Sequence, residues 1–360
     1  MIKVLMIMHN LWGGGGIQKV NMDLAAEIKG VDLTILSLHP KKDDFFDDLI
    51  KDKNIKVIYL DKHPGVDTSI IRKIKKIVKE IKPDVIHINQ RMTSYALPSL
   101  KGIKRKYYVV HNLADMDAKG VARKINNFAF HHLGVVPVAI SDICRKSISE
   151  VYNIPEKDIP CIYNGVDTKR FTRKEEYKAE DMCTFISACT FRPQKNLPLL
   201  LNAFAKAHKA YPNSRLMLVG DTLEGEEHIA DALKAQAKDL GIYDSIVFAG
   251  RQSDMPSWLE KGHVYVMSSD YEGLPITILE AMSMGLPIAA TNAGGTADVM
   301  DNNGILVDIG DENGLAGAMI RLAKDKELRE RYSKRSEELA QKYSMKACAE
   351  NYEKLYKGEL

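Results

Sequence analysis

Two carboxylates, Glu272 and Glu280, stand eight positions apart in SSDYEGLPITILEAMSMGLPIAATNAGG, which runs from Ser268 to Gly295. Between them lie Gly273, Leu274 and Pro275, then an apolar run. The preceding HVYVMSS reads as a buried strand, and PITILEAMSMG as a helix with Pro275 near its first turn, where proline is tolerated. A helix start presents backbone N–H groups and the positive end of the helix dipole. Gly273 and Leu274 are therefore expected to favour an anion, and a phosphate fits better than another carboxylate. Gly273 lets the backbone approach such a ligand closely. Glu272 falls in the loop beside this position, and Glu280 lies about one and a half turns into the helix.

A carboxylate that accepts two hydrogen bonds can hold a vicinal diol. The stretch thus offers diol, phosphate and diol in series, the outline of ribose, diphosphate and hexose in a nucleotide-sugar. Taken singly, Glu272 reads as a stabilising acid at a helix start, and Glu280 as a surface residue. The combination with glycine, proline and a buried strand is what points to chemistry.

The elements that must hold these groups repeat along the chain. Apolar strands are predicted from Ile2, Asp32, Ile55, Asp84, Lys106 and Val135, and again from Cys183, Arg215, Ser245, His263, Pro287 and Gly304. Near-continuous apolar character suits parallel sheets covered on both faces. Amphipathic segments separate them, such as SIIRKIKKIVKEIKP from Ser69, where Ile70, Ile74, Ile77, Val78 and Ile81 recur at helical spacing. A charged, turn-rich stretch from Asn164 to Met182 interrupts the alternation. The expected fold is α/β, two consecutive doubly wound Rossmann-like domains. Residues 1–165 form the first, 166–182 a linker and 183–345 the second, with the ligand in the cleft between domains.

The 360 residues allow two or three domains with cores of their own. No apolar stretch approaches the ~20 residues of a transmembrane helix. The opening MIKVLMIMHNLWGGGG is short and lacks a small-residue cleavage site, so it reads as a first strand rather than a signal peptide. Five cysteines without a CxxC pair support neither a disulfide framework nor a zinc cage, and a reducing cytoplasm is the expected setting. Residues 1–165 hold 26 Lys and Arg against 18 Asp and Glu, whereas the remainder holds 25 against 30. The basic half suits an anionic surface or a phosphate-bearing acceptor, and equally an ordinary lysine-rich solvated face. Nucleic acid is not an expected partner.

The whole chain resembles the retaining glycosyltransferases of family 4, which have the GT-B fold and an E-x7-E signature. The likeness rests on Glu272 to Glu280 and on the glycine run Gly13–Gly16. HN (His111, Asn112), AIS (ending at Ser141), YNGVD (Tyr163–Asp167) and RPQKN (Arg192–Asn196) add to it. So do VGD (Gly220), AGR (Gly250, Arg251) and the pair Gly294, Gly295. The resemblance implies that Glu280 holds the ribose hydroxyls and that Glu272, with the following amides, contacts the donor hexose. It implies that Lys195 and a nearby arginine bind the diphosphate, and that His111 lies near the transferred sugar. Gly15 and Gly16 would border donor and acceptor, and Gly220 and Arg251 would lie around the base. The helix 346–360 would cross back to the first domain. The family arginine commonly lies five or six positions before the lysine, at Thr190 or Cys189; Arg192, three before Lys195, is the stand-in.

The expected reaction breaks a glycosyl–phosphate bond of a UDP- or GDP-sugar and moves a hexose-type sugar to a hydroxyl of a glycan or glycolipid acceptor. The setting would be cell-surface polysaccharide synthesis, peripheral at the inner face of the membrane. Charge growing on the nucleoside diphosphate needs fixed positive groups or a metal. Lys195, Arg192 and the helix start at Gly273 are expected to serve, with no metal and no further cofactor. Asp115 and Asp117 have D-x-D spacing but read as helix N-terminal acids. His111, at a strand's carboxyl end, reads equally as a sugar contact or as a local backbone partner. The glycine run is neither a GxGxxG fingerprint nor a Walker loop, which excludes dehydrogenase and kinase readings. The alternatives are a non-catalytic nucleotide-sugar-binding homologue or partner subunit and, further off, an epimerase.

Overall fold

A computed structural model describes residues 1–12, 15–43, 45–90 and 92–360; Gly13 and Gly14 of the glycine run lie outside the described residues, as do Asp44 and Arg91. The chain forms two compact units, Met1–Gly165 with Met345–Leu360, and Val166–Ser344.

The first unit is built on β1 (Ile2–Met8), β2 (Val31–Ser37), β3 (Lys56–Tyr59), β4 (Val85–Asn89), β5 (Arg105–Val110) and β6 (Val136–Ala139). All pair in parallel, in the order β3-β2-β1-β4-β5-β6. β1 is fully buried from Val4 to Met8, as a central strand with both faces covered must be. The helix Thr68–Ile81 starts where Asp67 accepts a hydrogen bond from the Ser69 backbone, and its next residue, Lys82, takes a left-handed conformation. It buries Ile70 and Ile74 completely, about 1.5–3 kcal/mol each. Arg72, Lys73, Lys75, Lys76 and Lys79 remain exposed.

The helix Met345–Lys357 packs in this first unit. It buries Tyr352, Leu355 and Tyr356. Tyr107 Oη donates to the Leu355 carbonyl (2.8 Å) and Arg105 to that of Lys357 (2.6 Å). The chain leaves the unit after Gly165 and returns at Met345. These points are neighbours, because a Cβ on Gly165 would lie 2.7 Å from Met345 Cα.

The second unit repeats the winding with β7 (Cys183–Ala188), β8 (Ser214–Val219), β9 (Ile246–Gly250), β10 (Val264–Met267), β11 (Ile288–Thr291) and β12 (Gly304–Val307). The order is β12-β11-β10-β7-β8-β9, again all parallel. Its core joins Phe185, Leu216, Leu218, Val264 and Val266 to Phe204 and Met319 from the covering helices.

Residues 166–182, expected as a linker, pack as part of this unit. Phe171 is fully buried, and its carbonyl accepts from Ser283 Oγ (2.6 Å). Arg173 donates to the carbonyls of Met284 (2.7 Å), Glu260 (3.1 Å) and Gly262 (2.7 Å). The charge that suggested a solvated tether is turned inward onto backbone acceptors.

In each sheet the order reverses direction between a unit's first and fourth strands, and in open α/β sheets ligands bind outside the carboxyl ends there. Those ends are Met8 and Asn89 in the first unit, Ala188 and Met267 in the second.

Candidate functional site

In the second unit, the loop after β7 runs into a single 3-10 turn, Pro193–Lys195, and then the helix Leu197–Ala210. The loop after β10 runs into the helix Ile276–Ser283, whose N-cap is Pro275. The two loops are stitched together at the switch point. Lys195 Nζ donates to Glu272 Oε1 at 2.5 Å. Gln194 donates to the Tyr271 carbonyl (2.7 Å), and Ser268 Oγ to that of Lys195 (2.8 Å). Asn196, left-handed at φ 44°, donates to Asp270 (2.8 Å) while its oxygen caps the following helix. Burial works against the Lys195 charge, but the Glu272 carboxylate, with a further contribution from Cys189, outweighs it, so the ammonium is held above its ordinary range.

Two glycines set this geometry. Gly294 is left-handed at φ 56°, and a Cβ there would lie 1.8 Å from the Glu272 carbonyl. Its neighbour Gly295 donates its N–H to Gly273 O (2.7 Å). Gly220, expected near the base, has φ 135°, and a Cβ on it would lie 1.8 Å from the Cys189 carbonyl. It thus packs against the strand-end loop that leads to Lys195, and its N–H donates to the carbonyl of Gly250 (2.9 Å), the residue before Arg251.

Glu280 is buried at 3% exposure, which removes the surface-residue reading. A carboxylate is rarely buried without a use for its oxygens. Arg173, at the Met284 carbonyl, places a cation at the carboxyl end of the same helix, which complements its dipole. Arg192 is exposed, and its charge acts on Lys195. The Cys189 thiol, six positions before Lys195, interacts with both Lys195 and Glu272 and is pushed up to about 11 by burial. A neutral thiol thus stands at one of the positions where the resemblance expects an arginine. Arg251 is exposed just past β9, after left-handed Gly250.

In the first unit, His111 follows β5 directly, and its Nε2 lies 2.6 Å from Asn89 Oδ1, at the end of β4. Burial and the nearby His87 hold its pKa down to about 3, so the ring is neutral. Gly15 is the N-cap and Gly16 the first residue of the helix Gly16–Glu27. Asp115 and Asp117 lie on a single helical turn, and Asp117 accepts from Tyr108 Oη (2.6 Å). Among the described residues, no three His, Cys, Asp or Glu side chains gather as metal ligands. Asn89, Gln194, Asp270 and Arg173 were not singled out as functional side chains by sequence. For Asn89, Gln194 and Asp270 the signal was a polar residue within or directly against an otherwise apolar strand or quoted motif; Arg173, inside a charged stretch, carried none.

Two family models match the chain: that for glycosyl transferases group 1 over residues 168–339, and that for glycosyltransferase family 4 over 14–170. The lipopolysaccharide core biosynthesis glycosyltransferase LpsE of Rhizobium meliloti strain 1021 is 30% identical over 287 residues, 78% of this chain and 77% of that protein. The N-acetyl-alpha-D-glucosaminyl L-malate synthase of Bacillus anthracis is 25% identical over 310 residues, 82% of this chain and 80% of its own. Anabaena HepE, solved in complex with UDP and glucose, superposes with a TM-score of 0.85 at 18% identity, covering 99% of this chain and 100% of that one. The fold is the GT-B fold of glycosyltransferases. The chain belongs to glycosyltransferase family 4, and LpsE, by its name, acts in lipopolysaccharide core synthesis.

Proposed function

We propose that this glycosyltransferase moves a hexose-type sugar, with retention, from a UDP- or GDP-sugar to a hydroxyl of a glycan or lipid-linked acceptor in cell-surface polysaccharide synthesis, without a metal. The observation that carries the reading is the Lys195–Glu272 pair at the second unit's switch point, beside the helix that bears buried Glu280. HepE was solved with UDP and glucose, and an Escherichia coli relative is named as a UDP-Gal:alpha-D-GlcNAc-diphosphoundecaprenol alpha-1,3-galactosyltransferase (28% identical over 287 residues). Both names favour a nucleotide-sugar donor, and the second a lipid-linked acceptor.

The step breaks the bond between the sugar's anomeric carbon and the diphosphate oxygen. Charge then grows on the departing nucleoside diphosphate. An ammonium has three N–H donors; one meets Glu272, and the others are assigned to diphosphate oxygens. Arg192 and the start of the helix Ile276–Ser283, which falls three residues later than the expected start at Gly273, share that charge. Glu280 holds the ribose diol, while Arg251 and the Gly220 loop border the base. The leaving phosphate takes the acceptor's proton on the same face of the sugar. Glu272 orients the hexose through its carboxylate and is not a nucleophile. The exposed cations of the helix Thr68–Ile81 favour peripheral contact with an anionic membrane surface. No described helix is long and apolar enough to cross a membrane.

A thermal-shift panel of UDP- and GDP-sugars tests the donor. A ligand at 100 times its Kd stabilises by about 2.7 kcal/mol, and no shift with any donor sinks the reading. Loss of turnover in EDTA, restored by a divalent ion, would remove the metal-free mechanism. A glycosyl–Glu272 adduct trapped in mass spectrometry would replace the orienting role with a covalent one. Salt-insensitive or absent binding to anionic liposomes counts against the membrane surface.

A further inference from the structure

Asn89 closes β4 with its side chain fully buried. Its Oδ1 meets two neighbours, His111 Nε2 at 2.6 Å and Asn21 Nδ2 at 3.4 Å. The hydrogen positions follow from outside inward. The Ile17 carbonyl can only accept, so the Asn21 atom 2.8 Å from it is the NH2 group. That NH2 also faces Asn89, which therefore turns its oxygen toward it. An amide oxygen has no proton to give, so His111 Nε2 carries the ring hydrogen. A neutral imidazole holds one such hydrogen, and Nδ1 keeps its lone pair. Among the described residues Nδ1 has no hydrogen-bond partner.

This arrangement is held at a cost. Asn89 Nδ2 is buried without a well-formed hydrogen bond among the described residues, and His87 Nε2 is left with only a weak interaction with Asn89. His87 and Asn89 share one face of β4, two residues apart, and the other ring nitrogen of His87 is taken by Tyr356 Oη at 2.6 Å. Orphaned buried polar atoms cost about 1–3 kcal/mol each, so packing alone does not explain an asparagine here.

We propose that Asn89, itself oriented by Asn21, is a positioning residue that locks His111 as the Nε2–H tautomer, so that Nδ1 accepts a hydrogen bond from a ligand hydroxyl. That the hydroxyl belongs to the sugar donor rests on the function proposed above. The lock makes His111 a reader of hydroxyl groups. A carbonyl, carboxylate or ether at the same place offers no hydrogen and is discriminated against. His111 neither gives nor takes a proton in the reaction.

The test is a long-range 1H–15N spectrum of the full chain labelled with 15N-histidine. His111 signals are assigned by their loss in His111→Asn or, should that variant not fold, His111→Gln. Wild type is expected to show the neutral Nε2–H pattern from pH 6 to 8. In Asn89→Leu, where the oxygen is gone, the pattern moves toward Nδ1–H or a mixture, and kcat/KM falls about tenfold, from the loss of one buried hydrogen bond. UDP-glucose and GDP-mannose serve as probes; whichever raises the melting temperature should move Nδ1 and leave Nε2 in place. An Nδ1–H tautomer in wild type, or a ring titrating between pH 6 and 8, overturns the lock. A bound donor that leaves Nδ1 unmoved overturns the hydroxyl contact. An intact lock with no donor raising the melting temperature counts instead against the donor reading.

Discussion

The two units wind their sheets identically, yet the switch points carry opposite kinds of chemistry. In the second unit, Lys195 and Glu272 form a charged pair, buttressed by Gln194, Asn196 and Asp270. In the first, the cluster that the described residues form there is neutral: Asn21 and Asn89, with His111 at the end of the next strand and His87 behind them. A doubly wound sheet supplies a place, and the side chains at its strand ends decide what is done there. The proposed chemistry follows that division: charge where a leaving group would develop charge, uncharged acceptors where hydroxyl groups would be told apart.

Removing the charged pair should have the largest effect. Lys195→Ala is expected to lower transfer by about 10²–10³-fold, the usual loss for one fixed donor at a developing negative charge. It should leave the His111 nitrogen shifts unchanged. Equal turnover in variant and wild type would end the assignment of Lys195.

Acid should separate the units next. Burial lowers four histidines of the first unit, His9, His39, His87 (to about 4) and His111 (to about 3). In the second unit His263 is lowered, to about 4. A histidine depressed in the folded state binds fewer protons than its unfolded form. Stability is therefore intact above the ordinary value near 6.5. It falls with pH below that, by up to about 1.4 kcal/mol per pH unit for each group, until the folded pKa is reached. The first unit should loosen first as pH drops from 6 to 4. Each unit has one tryptophan, Trp12 and Trp258, so fluorescence of Trp258→Phe and Trp12→Phe follows them separately. Simultaneous loss, or loss of the second unit first, contradicts the contrast.

Smaller effects sharpen it. Gly294→Ala forces a Cβ against the Glu272 carbonyl and should cost about 1–3 kcal/mol. Gly310→Ala, also left-handed at φ 78° but in open space, should sit at the low end of about 1–2 kcal/mol. Melting temperatures compare the two, and equal losses would mean that the contact at Glu272 is unimportant. Glu280→Gln keeps the shape and removes the charge. Its expected effect is a KM for the donor raised about tenfold, within the range of one charged hydrogen bond, with kcat nearly unchanged. A fall in kcat at constant KM would move Glu280 from binding to the reacting centre.

The twelve strands were legible because parallel strands covered on both faces are apolar along their length, and observed starts fall within one residue of the predicted ones. The Glu272–Glu280 stretch was legible because its meaning is local: a strand end, a turn and a helix start within a dozen residues. The pairing of Lys195 with Glu272 joins residues 77 apart, and it emerges only when β7 and β10 are neighbours. DVIHI read as a buried strand, and that correct reading hid His87 and Asn89. The 166–182 stretch misled for a related reason: composition counts the charge of Arg173 but cannot say that it faces three carbonyls.

Val166 donates its N–H to the Tyr343 carbonyl (2.9 Å), and Gly165 lies against Met345. The second unit is therefore one continuous insert whose two ends meet, cut into a host that is completed only afterwards. On the ribosome, residues 166–344 emerge whole before Tyr352, Leu355 and Tyr356 exist to cover β4 and β5. The host made first is thus the last to close, and its earliest strands must stay soluble while the insert matures beside them. A gene for 166–344 alone should yield a folded product, whereas one ending at 165 should not.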